Sequence, residues 1–338
     1  MSYSRFNADD IVLSSDEISV PIWSNGAEKI SKEELTFSTS QVAGASGLFY
    51  LDLYNKDSSG NPDKVQFTVA YANKEGKGTL GYDSTPGLEA YTPSRTLYGQ
   101  YRTLVLGDEE SDFMFGENGT EKSNDFWIIS VERARYRERL KAGSLKIGLK
   151  VGADDAETIF VDGGKVGDNV VYKDSGRVYN IYKQEGSDES NVYRTKIYGY
   201  FLPDIGTILL DCRSVLENNV TDYESLHKKP EGVETNLRNS QKLFDVLNSI
   251  TLGEQETVTS NYIFVRAKNS EFNYSINPSN ITATGELLHT VMINQPETFI
   301  TSVGLYNDSN ELLAIAKLSK PLSKNFNKEA LIRIKLDY

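Results

Sequence analysis

The feature that most constrains this chain is its punctuation. Short runs of β-branched and aromatic residues recur along it, and clusters of Gly, Asn, Asp, Ser and Pro separate them. That rhythm dictates antiparallel strands, because alternate residues of a strand face opposite sides and the turn residues reverse the chain. LFYLDLY (48–54) and VQFTVAY (65–71) flank the turn-rich NKDSSGNPD, as the two arms of a hairpin do. FWIISV (126–131) has too few polar residues for a strand with one wet face, so it reads as buried on both sides. Further strands are expected at 145–151, 158–161, 177–182, 198–202 and 208–210. Five more are expected at 262–266, 289–293, 299–306, 312–316 and 331–336, with Asn307 to Asn310 as a hairpin turn. The predicted fold class is mainly β with a few short helices, in β-sandwich-like modules of antiparallel strands.

Helical spacing appears in two places. Thr92-Pro93 is an N-cap followed by proline at the first helical position, Leu97, Tyr101, Leu104 and Val105 share a face, and Gly107 can end the helix. This predicts a helix over 93–106. Ser240 can cap a second one, with Leu243, Phe244, Leu247 and Ile250 on one face. The charged stretch 132–142 also permits a helix. Its basic run RARYRERLK (133–141) reads as a solvated helical face or a contact between subunits.

These readings divide the 338 residues into four parts: 1–45, a β-rich domain at 46–215, a helical connector at 216–258, and a C-terminal β domain at 259–338. The first part reads equally as a polar arm that orders on a neighbour or as an edge strand of the first domain.

The net charge of −12 argues against nucleic acid as a partner, since phosphate binding needs a concentrated Lys/Arg surface. No apolar run is long enough to cross a membrane, and the opening MSYSRFN carries no apolar leader. Cys212 is the only cysteine, so no disulfide forms within one chain, and its apolar setting LLDC reads as a buried thiol.

Chemistry is sparse. The two histidines, His227 and His289, lack any metal-ligand spacing, and no GxSxG elbow occurs. GKGTLG (76–81) matches GxGxxG formally, but YDSTPG follows it and cannot open the helix that a pyrophosphate needs. It reads as a glycine-rich contact loop. The acidic groups at 108–110, 154–155 and 185–189 read as solvated loops. No catalytic, cofactor-binding or metal-ligating residue is expected, and the chain reads as a non-enzyme.

The segment FITSVGLYNDSNELLAIAKLSKP (299–321) resembles one in structural proteins of contractile-tailed phages, in particular T4-like phages of marine cyanobacteria. A looser form occurs in the tail-attached domains of phage fibre and collar proteins. YIFVRAKNSEFNYSINPS (262–279) and KEALIRIKLDY (328–338) are similar to the same family, and weaker likeness touches 198–206 and 3–6. The resemblance is strong over about the last 80 residues. It implies a virion structural protein, made in the host bacterial cytoplasm and placed in the tail at the baseplate. Its partners would be other tail and baseplate proteins, with self-association left open and no membrane insertion. A receptor- or glycan-binding fibre component is the alternative. Candidate interface residues are Tyr262, Phe264, Phe272, Tyr274, Phe299 and Tyr306, any of which can equally fill the C-terminal core.

Overall fold

The computed structural model describes residues 5–38, 48–82, 85, 92–151, 157–168, 170–186, 192–216, 220–231, 236–275, 277–294 and 296–337. The chain divides into two compact units, a large one over 18–256 and a small one built from 1–17 and 257–338. The first boundary falls inside strand β1 (Ile11–Pro21).

In the large unit, β2 (Lys29–Ser31) and β3 (Leu35–Thr36) come first, and β4 (Tyr50–Lys56) and β5 (Pro62–Asn73) form the expected hairpin. Helix α1 (Pro93–Leu106) has the predicted bounds. Thr92 caps its first turn, and Gly107 ends it at φ 82°, a backbone angle that glycine adopts without steric cost. Then come β6 (Phe113–Glu117), β7 (Glu121–Ser123), β8 (Asp125–Val131), β9 (Arg139–Leu140), β10 (Lys146–Lys150) and β11 (Glu157–Asp162). β12 (Val171–Lys173), β13 (Gly176–Gln184), β14 (Val192–Tyr193), β15 (Lys196–Ile197), β16 (Gly199–Leu202) and β17 (Thr207–Asp211) continue the series. Three helices, α2 (Cys212–Val215), α3 (Val220–Leu226) and α4 (Arg238–Val246), lead into β18 (Leu247–Thr251).

One antiparallel sheet dominates, in the order β2-β18-β10-β11-β13-β16-β17-β8-β5-β4-β3, with β12 and β14 beside β13. Its two outermost strands, β2 and β3, are separated only by the turn Lys32–Glu34, so the sheet curls until its ends nearly meet. Glu34 fastens that turn by accepting from the Ser31 amide at 2.9 Å and the Ser31 hydroxyl at 2.7 Å. Inside the curl lies the main core, which takes Trp127, Ile129 and Val131 from β8, Phe67, Val69 and Tyr71 from β5, and Ile208 and Leu210 from β17. The intervening residues Phe126, Ile128, Ala70, Ala72 and Leu209 face a second core outside the curl. Tyr98 of α1 and Phe113 and Phe115 of β6 cover it, with ring centroids 4.8 Å apart for Phe113 and Phe126. Both faces of β8 are therefore dry, as its sequence requires.

Three sequence readings are corrected. Helix α4 stops at Val246, and Leu247 and Ile250 belong to β18, which pairs with β10. So short an apolar stretch does not by itself separate a last helical turn from a strand, and the place between β10 and β2 decided between them. The 132–142 stretch holds a 3-10 turn (Arg133–Arg135) and β9. Its cations are spent locally: Arg137 pairs with Glu256 at 2.9 Å, Arg135 donates to Ser24 at 2.6 Å, and Arg133 stacks on Tyr136. A strand is expected at 289–293, and residues 290–294 instead form the short helix α5 (Thr290–Asn294).

The domain division also differs from the expected one. Segment 216–258 supplies α3, α4 and β18 to the large unit, and Trp23 lies in that unit's core against Phe67.

The small unit is a thin sandwich. β19 (Gly253–Ala267) lies between β1 and β22 (Ala330–Asp337), and β20 (Thr298–Tyr306) and β21 (Leu312–Lys324) make a separate hairpin. Its hydrophobic core is small: among the described residues Ile263, Leu305 and Ile334 form the buried cluster, and Val265, Val303, Ala314, Ala316, Ile332 and Leu336 pack against it partly buried.

Candidate functional site

The six residues singled out from sequence all belong to the small unit, and none belongs to its three-residue core. On β19, Ile263 and Val265 face the core, so period-two alternation turns Tyr262 and Phe264 to the other side. Pairing with β22 sets Lys335 opposite Tyr262 and Arg333 opposite Phe264. The Arg333 guanidinium lies 5.4 Å from the Tyr262 ring centre and the Lys335 ammonium 6.0 Å, both within cation–π range.

Phe272 and Tyr274 stand on the loop after β19, Phe299 and Tyr306 on the hairpin, and all four are exposed, Phe299 at 62%. Tyr306 lies back over Gly304, where a Cβ would come within 2.9 Å of its ring. This accounts for the Gly-Leu-Tyr spacing: Leu305 enters the core while the tyrosine covers the glycine on the outer face.

The loop is pinned by an unusual device. Lys324 is fully buried, and its ammonium donates to Asn273 Oδ1 at 2.6 Å, the Asn269 carbonyl at 3.2 Å and the Asn325 carbonyl at 3.0 Å. A buried charge has to be satisfied by dipoles or a counter-charge, and here three oxygens do so. Sequence reasoning missed Lys324, because KPLSKNFNK (320–328) reads as surface.

Leu13, Leu313, Ile315, Leu331 and Phe326 add to the exposed apolar surface of this unit, Leu13 and Leu313 at 69% each. These exposed apolar residues make up the candidate interaction surface of this unit.

The large unit holds a second cluster, also missed from sequence. Asp125, at the start of β8, is fully buried. It accepts from Tyr71 Oη at 3.1 Å and Tyr223 Oη at 3.0 Å, and His227 Nε2 lies 3.3 Å away. Cys212 is sealed beside it, and burial together with Asp125 and Asp211 pushes its thiol pKa far up. The group resembles a catalytic set by residue type, but a thiol held protonated is no nucleophile. The contacts instead clamp α3, which carries Tyr223, onto the sheet. Among the described residues no group of three or more His, Cys, Asp and Glu is placed to hold a metal ion, and no helix is long and apolar enough to cross a membrane.

The glycine-rich loop belongs to the same region. A Cβ on Gly78 would lie 2.4 Å from both Asn239 Nδ2 and the Leu226 carbonyl, and turns rather than a helix follow the motif. Gly78 serves close packing against α3 and α4, and Gly76 packs against the cap and first turn of α1. The acidic residues at 154–155 and part of the 185–189 group lie outside the described residues.

Two buried carboxyls set a pH dependence. Burial raises Asp162 and Asp211 from 3.8 to about 6 each, against backbone and side-chain hydrogen bonds that favour the charged form. A carboxyl raised on folding binds more protons folded than unfolded, so it opposes folding at neutral pH and is relieved as pH falls through 6. Lowering pH from 7 to 5 is expected to stabilise the large unit by on the order of 1 kcal/mol per group. Urea midpoints at the two pH values measure this, and Asp162→Asn with Asp211→Asn is expected to flatten the difference. A midpoint that falls on acidification in the parent chain, or an unchanged difference in the double variant, would refute the assignment.

No family model, no curated protein and no solved structure matches this chain.

Proposed function

We propose that this chain is a structural subunit of a phage virion, placed in the contractile tail at the baseplate, which holds neighbouring subunits together by protein contacts. One observation carries the reading: a small β unit with three buried core residues and a broad exposed apolar and aromatic surface. A lone hairpin and a small sheet with so little core are marginal in water and gain stability when a neighbour covers them. The likeness of 299–321 to tail proteins supplies the kind of neighbour. No catalytic step is assigned to the chain.

The test is mass spectrometry of density-gradient-purified particles from the phage that encodes it. The chain is expected in intact particles at a fixed copy number and in isolated tails. Its absence from particles would overturn the reading. Binding of the isolated chain to host cells or glycans would move it to the fibre alternative.

A further inference from the structure

The buried Lys324 has no packing reason to be a lysine. The three oxygens that receive its hydrogen bonds all belong to neutral amides. A well-packed apolar side chain would fill such a place at less cost, because no desolvated charge would be left there. The small unit has little with which to offset that cost, since its buried cluster is Ile263, Leu305 and Ile334. No disulfide within the chain can tie it, because Cys212 is the only cysteine and lies in the large unit. Units with so little core are commonly held by a covalent staple or a metal.

The groups around the Lys324 nitrogen are placed as reactants. Its Nζ lies 2.6 Å from Asn273 Oδ1. The amide carbon Cγ is one carbonyl bond of about 1.2 Å further on, so it lies within about 3.8 Å of Nζ. Held groups react from separations only slightly shorter than this. The Asn269 main-chain carbonyl accepts from both nitrogens concerned, Lys324 Nζ at 3.2 Å and Asn273 Nδ2 at 2.6 Å. It thereby gathers the amine and the amide nitrogen around one carbon. Water is kept out, with Lys324 0% and Asn273 1% exposed. Burial draws the Lys324 pKa below its usual value, against the opposing pull of Glu271 and Glu329. That favours the neutral amine, which is the nucleophilic form.

We propose that Lys324 and Asn273 condense into an isopeptide bond, which staples the end of β21 to the loop after β19. The neutral Nζ adds to Cγ, and the carbonyl electron pair moves onto Oδ1. A proton passes from Nζ to Nδ2. The electron pair then returns, the bond between Cγ and Nδ2 breaks, and ammonia leaves. The proton that the lysine ammonium first gave up departs with it as ammonium. Glu271, two residues before Asn273, is a carboxylate near enough for its charge to act on Lys324, and it can carry the proton between the two nitrogens. The product is a neutral secondary amide, and no oxidant or cofactor is consumed. The bond closes the chain over 51 positions, and a tie across so long a loop removes much of the freedom of the unfolded chain. It also removes the buried charge. Both effects suit a unit with a small core, whatever partners the chain has.

The test is the intact mass of the purified full chain, kept folded until the mass is constant and then denatured. The chain is expected to be lighter than its sequence by one ammonia, about 17 Da. Tandem mass spectra of a digest are expected to contain one branched peptide that joins residue 273 to residue 324. Lys324→Met keeps a long side chain without the amine and is expected to show its full sequence mass. Thermal melting verifies that the parent is folded, so the parent measurement decides even if the variant folds poorly. A folded parent at its full sequence mass would overturn the proposal. So would a loss of ammonia that persists in Lys324→Met, or one that maps to a cyclic imide at an asparagine and not to the branched peptide.

Discussion

Replacing Gly199 with alanine is expected to abolish the native large unit. Gly199 opens β16, in the middle of the main sheet, and pairs with Ile181 of β13 on one side and Leu210 of β17 on the other. A Cβ there would sit 1.9 Å from the Leu209 carbonyl oxygen, 2.9 Å from its carbon and 3.1 Å from the Leu210 Cα. Every one of these atoms is backbone, so no side-chain rotation relieves the clash. Either β16 separates from β17 or the register on one side is lost. Overpacking in a core commonly costs about 1–3 kcal/mol, and a backbone collision without a yielding neighbour exceeds that. Total stabilities are about 5–15 kcal/mol, so the variant is expected to be insoluble or to melt tens of degrees lower. Gly99→Ala is the matched control. Gly99 lies within α1, where an added Cβ would meet nothing within 4 Å, and alanine there is expected to stabilise by about 0.5–1 kcal/mol. A Gly199→Ala protein that melts within a few degrees of the parent would mean that β16 and β17 are not paired in this register.

Removing the Asp125 carboxylate is the second large effect. Asp125→Ala leaves the hydroxyls of Tyr71 and Tyr223 without the shared acceptor that Asp125, itself fully buried, supplies. Deleting one partner from a buried charged network costs about 3–5 kcal/mol, because the groups left behind stay desolvated. Tyr223→Phe removes one donor and no charge, and is expected to cost about 1 kcal/mol. Because both changes touch one network, the double variant is expected to lose less than the sum of the two. The loss is expected first at α3, which reaches the cluster through Tyr223, so amide exchange should rise over 220–227 before it rises over β8. Chemical denaturation measures the totals. Equal costs for Asp125→Ala and Tyr223→Phe would show that the carboxylate is not the hub.

The two experiments address parts of the molecule that differ in how openly the sequence declares them. The glycine at 199 stands inside YGYFLPDIG, where a glycine between tyrosines in a strand already signals a close approach of another backbone. Asp125 gives no such signal. It precedes FWIISV as a loop aspartate would, and its partners Tyr71, Tyr223 and His227 are 54, 98 and 102 residues distant. A network assembled from that far apart has no local pattern to read.

By itself the sequence marked many of the strands and the first long helix. The apolar-polar alternation marked 65–71 and 299–306, the unbroken apolar run marked β8 as dry on both faces, and the Thr-Pro…Gly punctuation marked α1 to its last residue. These are local properties, fixed by side-chain period and by cap and turn chemistry within a few residues. Only the tertiary structure decided what each element packs on. It turned 247–251 from the end of a helix into a strand of the main sheet between β2 and β10, made 290–294 a helical turn, and drew Trp23 into the large core. It also left Phe272, Tyr274, Phe299 and Tyr306 in solvent while Ile263, Leu305 and Ile334 closed the small core. An aromatic side chain carries the same hydrophobic gain wherever apolar surface is covered. Whether that cover comes from its own chain or from a neighbour depends on long-range pairing, and no short window of sequence encodes it.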